Sequence, residues 1–209
     1  MTGRSHATTD PHAAVVDDSQ PSAPPLVHIV LLHPEIPNNT GNIGRTAAAL
    51  GCRLHIIHPI GFDMDEKARR RAGLDYWHLV DCVEHASWEA FLERERPARI
   101  WGFSARTARN HFSAGFARGD YLLFGRESTG FGTEIASWIT SRFGEDRLVS
   151  IPMPGGDGVR SLNLATAVAI AGYEALRQIT RTDAAPSSGA TSGATSGSAS
   201  GAASGAGPS

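Results

Sequence analysis

The chain has 209 residues, 41% of them hydrophobic, and its 19 basic and 21 acidic side chains leave a formal net charge of −2. No apolar run approaches the roughly 18 residues needed to cross a bilayer, and Cys52 and Cys82 are too few for a disulfide framework or a cysteine-rich zinc site. The near-neutral balance does not announce a nucleic-acid binder, so the placement of individual charges has to decide that point.

Residues 1–25 are polar and proline-containing, without the apolar stretch of roughly 7–15 residues that a secretory signal needs. Residues 181–209 are almost wholly Ala, Gly, Ser, Thr and Pro, with nothing to offset the entropy of ordering. Both segments are expected to be disordered tails of a cytoplasmic protein. Between them, residues 26–180 are about 155 residues, enough for one domain that buries about 70% of its unfolded surface. Residues 27–32, VHIVLL, predict a first strand. Residues 38–40 then offer N-caps for a helix over 44–50, which Gly51 stops. Residues 54–57 predict a second strand, and Asp63 or Asp65 caps a short basic helix that ends at Gly73. Ser87 caps a helix that Pro97 stops. Strands follow at 100–104, 121–124 and 148–151, with helices at 133–141 and 163–180. Strands alternating with helices imply an α/β domain with a largely parallel sheet covered on both faces. In such sheets ligands bind beyond the carboxyl ends of the strands. The stretches 38–45, 103–109, 125–130 and 152–163 all follow strands and are expected to share that edge.

Residues 38–45 read NNTGNIGR and look like a nucleotide-binding turn. A dinucleotide fingerprint needs a glycine where Asn39 stands and an acid near the end of the second strand, and neither is present. Residues 125–132, GRESTGFG, lack the lysine of a phosphate-binding Walker loop. Glu127 within them is an acceptor suited to an amine or hydroxyl. His55 and His58 have metal-like spacing but point to opposite faces of a strand, so no metal site is expected. His33 is expected to be structural or solvent-facing. Lys67, Arg69, Arg70 and Arg71 form a basic run for a polyanion, with Tyr76 and Trp77 as stacking groups. Residues 151–163 combine rigid prolines, open glycines and the polar Arg160, Ser161 and Asn163, as a backbone-built ligand cradle requires.

Taken together, NNTGNIGR, RRAGLDYW, DYLLFGRESTG and IPMPGGDGVRSLNLATAVAIAGYEA resemble the motifs of the SPOUT-class RNA ribose 2′-O-methyltransferases. The subgroup most similar modifies the tRNA wobble position, cytidine or uridine 34. The resemblance implies a single α/β domain with a C-terminal deep trefoil knot, S-adenosylmethionine as cofactor, a homodimer, and the tRNA anticodon stem-loop as substrate. It implies Phe103, Gly125, Ile151 and Ser161 as cofactor-binding residues and Arg45, Glu127 and Asn163 as catalytic ones. Lys67, Arg69, Arg70, Arg71 and Arg160 are the RNA-binding candidates. Residues 155–159 are longer than the family pattern, and the two tails lie outside it. Because a guanidinium stays protonated and is a poor base, Arg45 is expected to position a phosphate and stabilise alkoxide charge. Glu127, a phosphate or a water is then left to take the proton. A nucleotide-dependent α/β enzyme and a knotted RNA-binding module without activity are the rival readings.

Overall fold

The computed structural model describes residues 24–63, 75–155 and 158–184. The expected basic helix, with Lys67, Arg69, Arg70 and Arg71, lies outside the described residues. Six strands form one sheet in the order β3-β2-β1-β5-β4-β6: β1 His28–Leu32, β2 Arg53–Ile57, β3 Cys82–His85, β4 Ile100–Phe103, β5 Tyr121–Phe124 and β6 Leu148–Val149. Every pairing is parallel. Strand β3 was not expected, because CVEH is a half-exposed edge strand and carries no apolar run.

Among the described residues four α-helices cover the two faces: α1 Pro37–Leu50, α2 Trp88–Glu95, α3 Gly132–Phe143 and α4 Leu164–Asp183. Strand residues alternate between faces. Ile29, Leu31, Leu122 and Phe124 pack with Ile43 and Ala47 of α1 and with Val168 and Ala171 of α4. Val30, Leu32 and Leu123 pack on the other side with Phe91 of α2 and Ile139 of α3. Both faces are therefore dry, which is why β1 and β5 are buried along their whole length.

The start of α1 corrects an expectation. The helix begins at Pro37, with Ile36 as a cap that has no side-chain hydrogen bond, so Asn38, Asn39 and Thr40 are already inside it. NNTGNIGR is thus helix rather than turn. The short 3-10 helix Asp75–Leu79 sits against its glycines: the Tyr76 hydroxyl donates to the Gly41 carbonyl at 2.7 Å. A Cβ on Gly44 would lie 2.5 Å from the Trp77 ring.

Strand β6 has an unusual setting. On one side Phe103 of β4 pairs with Val149. On the other side Asn110 forms an isolated parallel bridge with Ser150. The Ser150 N–H donates to the Arg109 carbonyl at 2.7 Å, and the His111 N–H donates to the Ser150 carbonyl at 2.8 Å. Strand β4 and Arg109–His111 belong to one stretch of chain, so that stretch flanks β6 on both sides.

Candidate active site

Strand order reverses at β1. Strands β2 and β3 lie on one side of it, and β5, β4 and β6 on the other. The crevice between the carboxyl ends of β1 and β5 is therefore the switch point at which parallel sheets bind ligands. All four stretches named from the sequence leave strands at this edge.

A continuous hydrogen-bonded chain spans the crevice. The N–H groups of Glu35 and Ile36 donate to the Glu127 carboxylate at 2.9 and 3.3 Å. The Asn39 side-chain amide also donates to it, at 2.9 Å. Asn39 in turn accepts from the Asn163 amide at 2.9 Å. The Asn163 carbonyl caps α4, accepting from the N–H groups of Ala165 and Thr166 at 2.9 and 3.3 Å. Glu35 returns the contact, accepting from the Ser128 N–H at 3.0 Å and its hydroxyl at 2.8 Å. These two bonds hold the Glu35 pKa below the usual carboxylate value. Residues far apart in sequence thus join in one network, and Asn39, not singled out for function from the sequence, is its central link.

Three donors occupy Glu127, against roughly four acceptor positions on a carboxylate. It ties down the two residues that lead into α1, a helix with no side-chain cap of its own, and sets a negative charge at that N-terminus, where the macrodipole favours it. Its geometry is that of an anchor rather than of a group waiting for a proton. Asn163 likewise acts through α4 and Asn39.

Arg45 stands apart from this chain. It is exposed on α1, six residues after Asn39 and so about 240° round the helix. Its guanidinium carbon lies 4.3 Å from the centre of the Tyr76 ring. The structure therefore brings Glu127 and Asn163 together but leaves Arg45 on another face of the same helix.

The expected cofactor residues occupy the ends of β4, β5 and β6. Phe103 is buried and stacks on Phe124, with ring centres 4.8 Å apart, so its side chain belongs to the core. Gly125 is followed by a tight loop in which Arg126 and Gly130 exchange N–H···O bonds of 3.2 and 2.9 Å. A Cβ on Gly125 would lie 2.1 Å from the Gly130 carbonyl carbon, so only glycine fits. Ile151 is half-buried against the α1–α4 side of the core. Ser161 and Arg160 are exposed. Gly155 and Gly158 have nothing within 4 Å of an added Cβ, so the main chain there stands open to a ligand. Such a backbone-lined set fits the adenosine and methionine parts of S-adenosylmethionine, which need N–H and C=O partners and an apolar floor more than charge.

The α2–α3 side of the same edge holds a cleft of about 820 Å³, lined by His33, His58, Trp88, Arg126, Phe131 and Trp138 among others. There His33 Nδ1 meets an Arg126 guanidinium nitrogen at 3.0 Å. Burial, and then the Arg126 charge, lowers the His33 pKa.

A histidine ladder lies on the α2–α3 face, unread from the sequence. His28 Nδ1 is 2.9 Å from His55 Nε2, and His55 Nδ1 is 3.0 Å from His85 Nε2. Burial pushes His28 down to about 4 and His55 to about 2, and it also lowers His85. Glu95 stands 3.9 Å from His55. Among the described residues His28, His55 and Glu95 are the group whose ligand atoms approach one another as a metal site requires. The ring nitrogens nevertheless face each other at hydrogen-bond distance, shorter than the roughly 3.3 Å between ligands of a tetrahedral zinc. The ladder satisfies buried imidazoles across three strands.

Comparison with known proteins gives consistent results. Residues 26–173 match the SpoU rRNA Methylase family. The tRNA (cytidine(34)-2′-O)-methyltransferase of Saccharophagus degradans is 45% identical over 154 residues, covering 74% of this chain and 96% of that protein. The protein of the same name from Escherichia coli K12 is 42% identical over 154 residues, covering 74% and 94%. A solved structure described as "Structural insights into the 2-OH methylation of C/U34 on tRNA" is 51% identical with a TM-score of 0.66, covering 76% of this chain and 99% of that one. The AviRb methyltransferase of Streptomyces viridochromogenes, solved in complex with AdoMet, is 27% identical with a TM-score of 0.61, covering 78% and 63%. The chain belongs to the SpoU methylase family.

Proposed function

We propose that this protein methylates the ribose 2′-hydroxyl of the wobble nucleotide, cytidine or uridine 34, in the tRNA anticodon stem-loop, with S-adenosylmethionine as methyl donor. The observation that carries this reading is the crevice at the sheet switch point. Glu127, Asn39 and Asn163 lock its walls together there, in a chain that matches cytidine-34 enzymes over nearly their whole length.

The cofactor supplies an electrophilic methyl group on sulfur, and the residues of the chain do the rest. Gly125, Ile151 and Ser161, with the strand end at Phe103, hold it by their main chain. The Glu127–Asn39–Asn163 chain fixes α1 and α4 to the loop after β5, so that Arg45 and the cradle keep one geometry. Arg45 holds a substrate phosphate in its fork and stabilises charge developing on the 2′-oxygen. The proton leaves to that phosphate or to water, since Glu127 is occupied.

A C-terminal trefoil knot belongs to this reading. It is supported by β6 running between β4 and Arg109–His111, two parts of one connection. A homodimer and a cytoplasmic location are also part of it. Because Arg45 lies on another face of α1 than Asn39, a composite site in which one protomer's Arg45 serves its partner's cradle accounts for the separation. No helix among the described residues is long and apolar enough to cross a membrane. Arg160, with Lys67, Arg69, Arg70 and Arg71, supplies phosphate contacts.

Titration calorimetry and labelled-methyl incorporation test the reaction class. Binding of S-adenosylmethionine but not of NAD or ATP, with label entering tRNA, is the expected result. Binding of NAD or ATP instead would overturn it, as would cofactor binding without incorporation into any RNA.

A further inference from the structure

Arg45 is in no ion pair among the described residues, and it stands on an exposed helix face. An arginine so placed ordinarily samples many rotamers, and holding it still costs entropy. Its guanidinium instead lies over the Tyr76 ring at 4.3 Å. That ring is tied to the helix it supports. The Tyr76 hydroxyl donates to the Gly41 carbonyl at 2.7 Å, which in α-helix geometry is also the acceptor of Arg45's own N–H. Trp77, the next residue, packs on Gly44. Two glycines within about one helical turn of Arg45 thus seat an aromatic platform beneath it. Arg45, Tyr76, Asp75, Ala48, Ala49 and Leu79 line an open groove of about 600 Å³ beside the stack.

We propose that Tyr76 is the positioning residue for Arg45: its ring fixes the plane of the guanidinium, so that the forked N–H edge faces the groove and meets an RNA phosphate there. Platform and fork act as one unit, because stacking on the ring leaves the in-plane donors free. The inference rests on the assignment of Arg45 to substrate phosphate and charge stabilisation.

Single-turnover methylation by Tyr76→Phe, Tyr76→Ala, Arg45→Ala and the double variant tests it, on whichever RNA the wild type methylates. Thermal melting and S-adenosylmethionine affinity serve as controls of folding. Tyr76→Ala is expected to slow the methyl-transfer step by about tenfold, the scale of a cation–π contact, with cofactor affinity unchanged. Tyr76→Phe keeps the ring and is expected to stay within about threefold of wild type. In the Arg45→Ala background, Tyr76→Ala is expected to have no further effect. A rate in Tyr76→Ala equal to wild type would overturn the proposal, as would an equal loss in the Arg45→Ala background. If Tyr76→Phe were as slow as Tyr76→Ala, the hydroxyl rather than the ring would be the operative part, which contradicts the claim. Should Arg45→Ala alone leave the rate intact, the underlying role of Arg45 fails, and that outcome is distinct from the others.

Discussion

At the scale of single residues, Glu127 has two readings that experiment separates. As an anchor it holds three donors from the start of α1. Glu127→Ala is then expected to cost about 0.5–1.5 kcal/mol in urea unfolding, the net scale of a hydrogen bond whose exposed donors can turn to water, and methyl transfer falls as the crevice loosens. A variant as stable as wild type yet unable to transfer methyl would make Glu127 the proton acceptor instead. The histidine ladder makes a pH prediction. His28 is held at about 4 and His55 at about 2 against an ordinary 6.5. The unfolded chain therefore takes up protons below about pH 6.5 that the folded one refuses. The stability of the neutral rings is complete above that pH and is lost as it falls. Between pH 7.5 and 5 one such ring is worth about 2 kcal/mol. Urea midpoints that do not move over this range would show that the ladder is protonated in the folded state.

At the scale of elements, most strands were legible because a doubly covered parallel sheet writes its central strands as plain apolar runs. Strand β3 was not, since an edge strand needs only one dry face, and CVEH holds a glutamate among its four residues. NNTGNIGR misled for a different reason. Its glycines suggest a loop, yet they serve a helix by letting Tyr76 and Trp77 sit close against it. The second notable element is β6. With two residues it would fray as an ordinary edge strand, but it is flanked on both sides. The amides of Ser104, His111 and Ser150, which donate on the two sides of β6 at 2.7 to 2.9 Å, are expected to exchange hydrogen only through global unfolding. Exchange at loop-like rates would show that β6 is not enclosed, and the knotted path would lose its support.

At the scale of the whole molecule, the sheet order gathers what the sequence scatters. The shared edge was legible, because alternating strands and helices with Gly- and Pro-rich connections already imply it. The contacts within the edge were not, because Asn39, Glu127 and Asn163 meet only after β5 has been laid beside β1 and α4 against α1. Arg45 lay in plain view as a motif residue, while its supporting ring, Tyr76, entered only as one aromatic near a basic run. The position of the methyl group on tRNA tests the central claim most directly. Unmodified tRNA is treated with the protein and S-adenosylmethionine, digested with a nuclease, and each fragment is weighed and sequenced by mass spectrometry. A gain of one methyl on the ribose of nucleotide 34, and at no other position, is the predicted result. Methylation confined to any other nucleotide, or none in tRNA at all, would contradict it.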